Sequence, residues 1–173
     1  MFSIKNNILI IISRITTLFV FIIVASCNQN QNKPDPNIPP RFVYEPKFVK
    51  EGELYFISNK DTLKKINIEI AEKPEEREQG LMYRKSMDEF NGMLFIFEKS
   101  EPQNFWMKNT IIPLDIIYIN ENKEIVTIQE NTVPYSEEAI PSYKNSMYVV
   151  EVNAGFCGKF RIKEKDVISF NKI

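Results

Sequence analysis

The chain has 173 residues, with 22 Lys and Arg against 23 Asp and Glu, two cysteines and no histidine. Without histidine, one chain cannot assemble a Ser-His-Asp or Cys-His catalytic site, or a histidine-ligated zinc, copper or haem site. The formal charge of -1 lacks the clustered basic excess that marks nucleic-acid binding, so we expect no nucleic-acid partner. A hydrophobic fraction of 43% at this length fits one folded domain.

The N-terminus has the pattern of an export signal. Lys5 and Arg14 are the only charged residues among the first 26, and an apolar-leaning run extends from Ile15 to Ala25. This run fits the core of a signal peptide and is shorter than the roughly 20 residues of a membrane span. Small residues precede Cys27, which resembles a bacterial lipoprotein signal, and the resemblance implies that Cys27 becomes the lipidated first residue of the mature chain. The alternative is an uncleaved anchor from Ile8 to Ala25.

The composition changes abruptly after Cys27. Ten of the 13 residues from Asn28 to Pro40 are Asn, Gln or Pro, and such a stretch cannot bury a core. We therefore expect a signal peptide at residues 1–26, an extended tether at 27–41 and one folded domain at 42–173. This organisation predicts a bacterial cell-envelope protein that is held to a membrane through Cys27 on the extracytoplasmic side.

Apolar residues with a period of two dominate the predicted domain. Polar clusters at Ser58–Asp61 and Asn120–Lys123 separate pairs of such runs and predict two hairpins. The unbroken apolar run Met93–Phe97 predicts a strand that is covered on both faces. We expect a mainly β (α+β) fold: one compact, curled, antiparallel and barrel-like sheet of about eight or nine strands. The apolar runs lie at Leu54–Ile57, Ile66–Ile70, Met93–Phe97, Ile116–Ile119, Ile125–Ile128, Met147–Val152 and Val167–Phe170.

One short helix is predicted near residues 74–79. Pro74 suits the first helical position, because its missing N–H would have no partner there. Glu75 and Glu76 suit the first turn, where carboxylates face the positive end of the helix dipole. Gly80 can end the helix in a left-handed conformation.

Two later segments are predicted to be irregular. Asn131–Ser146 has no clear period and contains two prolines, so we expect a long loop of the kind that is often functional. Cys157 stands between two glycines, which predicts a turn. No imidazole exists to promote its thiolate, so we expect a small semi-buried residue rather than a nucleophile.

The most distinctive residues resemble a known family. They fall in three blocks: Arg77–Arg84 (REQGLMYR), Gly92–Asp115 (which includes FWMKNT and then PLD) and Val150–Gly155 (VEVNAG), with Asp166 further on. Their order resembles domain-of-unknown-function family 192 (DUF192, also catalogued as UPF0127), small bacterial and archaeal domains that are often exported. The resemblance extends from near Leu54 to Phe170 and implies a single compact β-rich domain, with no catalytic residues of established role. The family usually has Gly before the late Asp, where this chain has Lys165.

The second block holds several candidate ligand-binding side chains. If Phe105–Thr110 is extended, Trp106 and Lys108 share one face. A tryptophan beside an ammonium forms an amphipathic wall for a sugar ring or a carboxylate. Alternatively Trp106 belongs to the core, which we favour for this residue alone, and Lys108 reaches past it to water. The candidate ligand-binding residues are Arg77, Arg84, Trp106, Lys108, Asn109 and Asp115.

Asp115 is an anomaly because it stands between Leu114 and an apolar run. A carboxylate in such surroundings is costly unless it is paired and hydrogen-bonded. We predict that it contacts Lys108, Arg84 or Arg77. In the interpretation that we favour the role is structural, as an ion pair or as an acceptor of backbone N–H groups. In the functional interpretation Asp115 and one of the cations form the floor of a ligand pocket.

These residues favour a non-enzymatic binding or accessory module over a catalyst. Its partner would be a small polar ligand, a glycan or an envelope protein that meets the surface around Trp106. The alternative from another class is a carboxylate-dependent hydrolase or lyase that uses Asp115 and Glu151. A purely structural or interaction domain is a third hypothesis. A further alternative is Cu(I) binding by the thioethers of Met82, Met93 and Met107. We predict no cofactor and no other metal.

Overall fold

The structure is a computed structural model, and it describes residues 45–173. The predicted signal peptide, the lipidation of Cys27 and the tether lie outside the described residues, and so does the predicted domain start at residue 42. No helix in the described part is both long enough and apolar enough to cross a bilayer.

The described residues form seven strands and two short helices. The strands are β1 (Gly52–Ser58), β2 (Asp61–Ala71), β3 (Asn91–Phe105), β4 (Leu114–Ile119), β5 (Ile125–Gln129), β6 (Ile140–Asn153) and β7 (Val167–Lys172), and the helices are α1 (Pro74–Gln79) and α2 (Phe156–Phe160). All seven strands belong to one sheet in the order β5-β4-β6-β3-β2-β1-β7. The β2–β3 pair is parallel, and the other neighbours are antiparallel. The predicted mainly β fold is confirmed, with one pair departing from the antiparallel pattern.

Both predicted hairpins are present. Strands β1 and β2 pair up to Ser58 and Asp61, and the connecting Asn59 and Lys60 have φ angles of 49° and 76°. Two left-handed residues give the hairpin turn a twist that matches its strands. Strands β4 and β5 pair in the same antiparallel way around the turn at 120–124. The predicted helix α1 also lies where Pro74 and Gly80 placed it.

The sheet curls but is not a closed barrel, so that part of the prediction is wrong. Its two edge strands, β5 and β7, meet in an isolated bridge between Glu124 and Val167. Further hydrogen bonds join Lys165 N–H to the Ile125 carbonyl and Ile168 N–H to the Lys123 carbonyl, both at 2.9 Å. These contacts involve only the ends of the two strands, so no continuous ladder closes the sheet. Lys165, which stands where the family usually has Gly, adopts the left-handed φ of 74°.

Side chains of the central strands alternate between the two faces of the sheet, and each face packs into its own hydrophobic cluster. Leu94 and Val150 join the cluster that is completed by Phe156 of α2. Phe95 and Val149 join the cluster on the other face. The apolar start of β3 is thus covered on both faces, as predicted from its unbroken apolar run.

The structure departs from four local expectations. The structure has seven strands instead of eight or nine, one for each of the seven apolar runs. Strand β6 begins at Ile140, so the predicted loop Asn131–Ser146 is irregular only in its first half. The segment Phe105–Thr110 is not extended: β3 ends at Phe105, and Asn109 has a left-handed φ of 55°. Helix α2 occupies the turn that was predicted around Cys157.

Candidate functional site

A cavity of about 260 Å³ opens between α1, the end of β3 and strand β6. Four of its fourteen lining residues are aromatic, and seven are polar or charged. The aromatic residues are Phe95, Phe97, Phe105 and Trp106, and the polar residues used below are Arg77, Gln79, Gln103, Thr110 and Glu151. Apolar walls with a few convergent polar groups are typical of small-molecule sites.

Strand register positions the aromatic walls. Phe95 and Phe97 are two residues apart on β3, so they project to the same face of the sheet. The ring of Phe105 packs edge-on against Phe95, with centroids 5.0 Å apart, and against Tyr118 at 5.9 Å. This interlocked arrangement holds the walls apart and leaves a pocket beside α1.

Gly80 lets α1 approach these walls. It has a φ of 46°, and a Cβ atom at this position would lie 3.3 Å from the Phe95 ring. The end of the helix therefore lies close against the aromatic wall, which a larger residue would push away.

Glu151 forms the floor of the cavity. The residue is only 5% exposed, yet its side chain lines the cavity. Burial raises the pKa of this carboxyl to about 8, and the nearby Arg84 guanidinium opposes that effect. Within residues 45–173, no group forms a hydrogen bond with the carboxyl, and its oxygens are not among the fully buried atoms without a partner, so solvent in the cavity reaches them.

Arg84 lies behind this floor rather than in it. Its Nη1 is 2.7 Å from Oε2 of Glu69, and both side chains are nearly inaccessible. The guanidinium and the carboxylate are close enough to form an ion pair, but their geometry is not that of a hydrogen bond. Arg84 Nε also has no hydrogen-bond partner among the described atoms. Glu69 pairs with Met93 across β2–β3, and Met93 pairs with Glu151 across β3–β6, so both carboxyl groups lie on one face. Arg84 is therefore a buried counter-charge that does not line the cavity above Glu151, although it lines a separate concavity together with Glu69.

Arg77 lies at the rim on α1. Its guanidinium carbon is 5.1 Å from the centroid of the Phe97 ring. Its Nη1 donates to the Ile96 carbonyl at 3.1 Å and also contacts the carbonyl of Glu72. These contacts hold the guanidinium against the Phe97 ring, where it borders the cavity; a ligand-binding role for Arg77 stays a prediction.

Trp106 is 42% exposed, so the interpretation of this residue as core is wrong. The chain leaves β3 at this point and buries Met107 in its place. The Lys108 ammonium lies 4.8 Å from the Trp106 ring centroid, a cation–π contact. The Asn109 carbonyl accepts a hydrogen bond from Tyr83 N–H at 2.9 Å. The predicted pairing of tryptophan and ammonium exists, but a turn forms it instead of a strand.

Asp115 does not contact a cation, and that prediction is wrong. The residue is fully buried, and its carboxylate accepts three backbone hydrogen bonds. The donors are the N–H groups of Asn131 (2.9 Å), Gly155 (3.1 Å) and Cys157 (2.9 Å). The first N–H groups of a helix lack partners within it, and Asp115 supplies an acceptor where α2 begins. Its role is structural, as in the interpretation favoured from the sequence.

The two carboxyl groups of the hydrolase hypothesis do not share a cleft. Asp115 pairs with Val152 across β4–β6, and the next position pairs Ile116 with Glu151. Adjacent register positions project to opposite faces of a sheet. Asp115 faces α2 while Glu151 faces the cavity, so the pair cannot flank one scissile bond.

The sulfur atoms offer little support for other chemistry. Cys157 is fully buried, and burial together with the neighbouring Asp115 raises the pKa of its thiol. In the described range, no three His, Cys, Asp or Glu side chains are arranged to hold a metal ion. The Met107 thioether accepts a hydrogen bond from Thr132 at 3.2 Å, and the Met82 thioether lies 3.9 Å from the Asn109 amide. Cu(I) binding by methionines stays a prediction.

Sequence reasoning missed the central position of Glu151, which it named only as half of a catalytic pair. The signal was available, because Glu151 stands between Val150 and Val152 in an apolar strand, as Asp115 stands in another. Gln103 was missed as well. Its position in a polar stretch gives no hint that it is buried at the cavity.

The fold and the cavity define a small mixed-sheet β domain with an aromatic-walled pocket. The chain belongs to the DUF192 family, whose model, described as "Uncharacterized ACR", matches residues 55–170. A solved structure from Sinorhizobium meliloti 1021, described as a "putative transcription regulator", is 39% identical, with a TM-score of 0.68 over 73% of this chain and 98% of that one. A protein of unknown function from Novosphingobium aromaticivorans DSM 12444 is 30% identical, with a TM-score of 0.65 over 68% and 83%. No curated protein matches the sequence.

Proposed function

We propose that this domain is a non-enzymatic binding module of the cell envelope that takes a small, uncharged polar ligand into the cavity above Glu151. The observation that carries the proposal is the Glu151 carboxyl, which lines the cavity and has no hydrogen-bond partner within residues 45–173. Its oxygens are not among the fully buried atoms that lack a partner, so solvent reaches them through the cavity. A ligand that hydrogen-bonds to the carboxyl would take the place of that solvent.

The ionisation of the floor favours an uncharged ligand. With a pKa raised to about 8, the Glu151 carboxyl is mostly protonated at neutral pH and donates a hydrogen bond. Gln103 adds an amide to the same cavity. Its Nε2 donates to the Ser146 carbonyl at 3.4 Å, so its Oε1 is the atom left to accept a hydrogen bond from a ligand.

The size of the cavity limits the ligand. A volume of about 260 Å³ is below the ~300–1,000 Å³ of typical sites for drug-sized molecules. One substituted ring fits this space, whereas a nucleotide or a flavin does not. The aromatic walls suit the apolar face of such a ring, and the carboxyl and the amide suit its polar substituents.

We also propose that the domain acts at a membrane, anchored through lipidated Cys27. The export pattern of the first 26 residues supports this location, and several acyl chains would hold the protein firmly. Cell fractionation tests the anchor. We expect the wild-type chain in the membrane fraction and Cys27→Ser in the soluble periplasmic or secreted fraction. A wild-type chain that fractionates with soluble proteins would refute the anchor but not the binding site.

The binding proposal is tested by ligand-induced stabilisation of the full chain. N-acetylglucosamine is a suitable first probe, because its acetamido group offers a carbonyl to Glu151 and an N–H to Gln103. At a concentration of about 100 Kd, a ligand of the native state adds about 2.7 kcal/mol to the free energy of unfolding. We expect this gain in the wild type and in the exposed control Glu138→Gln, and its loss in Glu151→Leu. An equal gain in Glu151→Leu, or no gain with any uncharged sugar or amide of this size, would overturn the proposal.

A further inference from the structure

A second concavity adjoins the cavity on the other side of Trp106. It has a volume of about 330 Å³ and shares four lining residues with the first, namely Glu78, Gln79, Met82 and Trp106. Tyr83 and Lys108 lie on its far side. Trp106 therefore stands as a partition between two spaces of similar size beneath the same helix.

The second space presents a cation that has no acidic partner. The Lys108 ammonium contacts the Trp106 ring, and none of the salt bridges among residues 45–173 involves it. The Asn109 side chain adds an amide beside it. Glu75 and Glu78, both on α1, also line this space, so Lys108 is the group there that attracts an anion while the two carboxylates repel it.

We propose that the ligand is a glycan of at least two rings that spans Trp106, with a carboxylate on the second ring paired to Lys108. This inference rests on the proposed function, because it takes the first ring to be the ligand above Glu151. Each concavity has room for one pyranose ring, and the half-exposed indole of Trp106 lines both of them. Sugar rings combine an apolar C–H face with polar edges, which matches aromatic walls interrupted by Glu151, Gln103 and Lys108.

The backbone around Trp106 holds this partition in place. Tyr83 and Asn109 both adopt left-handed φ angles, 64° and 55°, which residues other than glycine rarely do. They are joined by the hydrogen bond from Tyr83 N–H to the Asn109 carbonyl. Met107 N–H also donates to the Ser136 carbonyl at 2.9 Å. Trp106 therefore projects from a turn that is tied to the chain on both sides, so little ordering is needed when a ligand binds.

Isothermal titration calorimetry of the full chain with three matched probes tests the inference. The probes are N-acetylglucosamine, its neutral β-1,4-linked dimer, and the acidic disaccharide in which N-acetylmuramic acid replaces the second ring. We expect the neutral dimer to bind about tenfold more tightly than the single ring, and the acidic disaccharide a further threefold to fivefold, roughly the gain of a partly exposed ion pair.

Variants separate the two concavities. Trp106→Ala should abolish the gain from the second ring, and Lys108→Gln should abolish only the gain from the carboxylate. The exposed β3 residue Lys99 provides a control for charge, and Lys99→Gln should bind all three probes as the wild type does. Glu151→Leu should abolish binding of all three. Circular dichroism spectra that match the wild type would establish that each variant is folded.

The outcomes distinguish this inference from the proposed function. A single ring that binds with no gain for either disaccharide overturns the two-ring ligand and leaves the proposed function intact. An acidic disaccharide that binds no better than the neutral one, or equally well to Lys108→Gln, overturns the role of Lys108. If an N-acetylated dipeptide binds more tightly than both disaccharides, the ligand is a peptide and the glycan assignment is wrong. If none of these probes binds, both the inference and the proposed function fall.

Discussion

Replacing Glu151 with Gln should remove a large pH dependence from the stability of the domain. A carboxyl whose pKa is higher in the folded state than in the unfolded state binds its proton more tightly when folded. Its contribution to stability is fully present below the unfolded value of 4.5 and is lost as the pH rises to the folded value of about 8. Gln has nearly the same shape as the protonated acid and does not ionise.

The magnitude follows from the two pKa values. Each pKa unit corresponds to about 1.4 kcal/mol of free energy. The free energy of unfolding falls with rising pH as long as the folded carboxyl keeps its proton and the unfolded one has lost it, and this fall ends once the folded carboxyl ionises. For a shift from 4.5 to about 8, the free energy of unfolding should fall by about 2–3 kcal/mol over this range because of Glu151 alone. Glu151→Gln should lose this component and become the more stable protein at pH 9.

Urea unfolding of the full chain at several pH values measures this effect. The difference in free energy of unfolding between Glu151→Gln and the wild type should grow with pH, at an unchanged dependence on urea. The exposed Glu138→Gln variant should follow the wild type at every pH. Wild-type and Glu151→Gln curves that run parallel from pH 6 to pH 9 would show that Glu151 is ordinarily ionised, and the reasoning about the cavity floor would fail.

Three further substitutions test the packing around the site, each by urea unfolding. Arg84→Met should lower the free energy of unfolding by about 3–5 kcal/mol, because it leaves the Glu69 carboxylate buried without its cation. Adding Glu69→Leu to this variant should recover most of the loss. If the double variant recovers nothing, the two residues do not act as a pair. Gly92→Ala should cost about 1–3 kcal/mol, because its Cβ would lie 2.7 Å from the Glu151 backbone oxygen. Gly158→Ala is the control and should be neutral or slightly stabilising, because nothing lies within 4 Å of its Cβ position. Similar costs at both glycines would contradict the close approach of β3 and β6. Asp115→Asn should lower the free energy of unfolding by about 2–3 kcal/mol, because three backbone N–H groups lose a charged acceptor. The affinity for N-acetylglucosamine should not change. Weakened binding would contradict the position of Asp115 on the sheet face opposite the cavity.

Local patterns in the sequence were sufficient for the elements that depend on local contacts. The period-two runs and polar turns around Asn59 and Asn120 predicted both hairpins, because hairpin pairing joins neighbours in the chain. Pro74 and Gly80 predicted α1, because each satisfies a requirement of a helix end. The parallel β2–β3 pair and the length of β6 depend on distant contacts, which a period does not encode.

The candidate site was predicted in its residue types more than in its arrangement. Trp106 and Lys108 were paired correctly, but the turn that exposes them depends on a hydrogen bond from Tyr83 N–H and on another that the Ser136 carbonyl accepts. Asp115 was recognised as a buried carboxylate, but its partners are backbone groups 16, 40 and 42 residues later in the chain, which residue identity does not reveal. Glu151 followed the same pattern of a carboxylate in an apolar strand, and only the register of β4 and β6 separates the two roles.

The most direct test of the binding site is the ionisation of Glu151 itself, followed by carbon-13 NMR of its side-chain carboxyl in the full chain. The resonance is assigned by its loss in Glu151→Gln. We expect a pKa of about 8 without ligand, raised further by saturating N-acetylglucosamine, since a protonated carboxyl that donates to the ligand holds its proton more tightly. An ordinary value near 4.5 in the free protein, or a pKa that saturating ligand leaves unchanged or lowers, would contradict a cavity floor that binds an uncharged ligand through its proton.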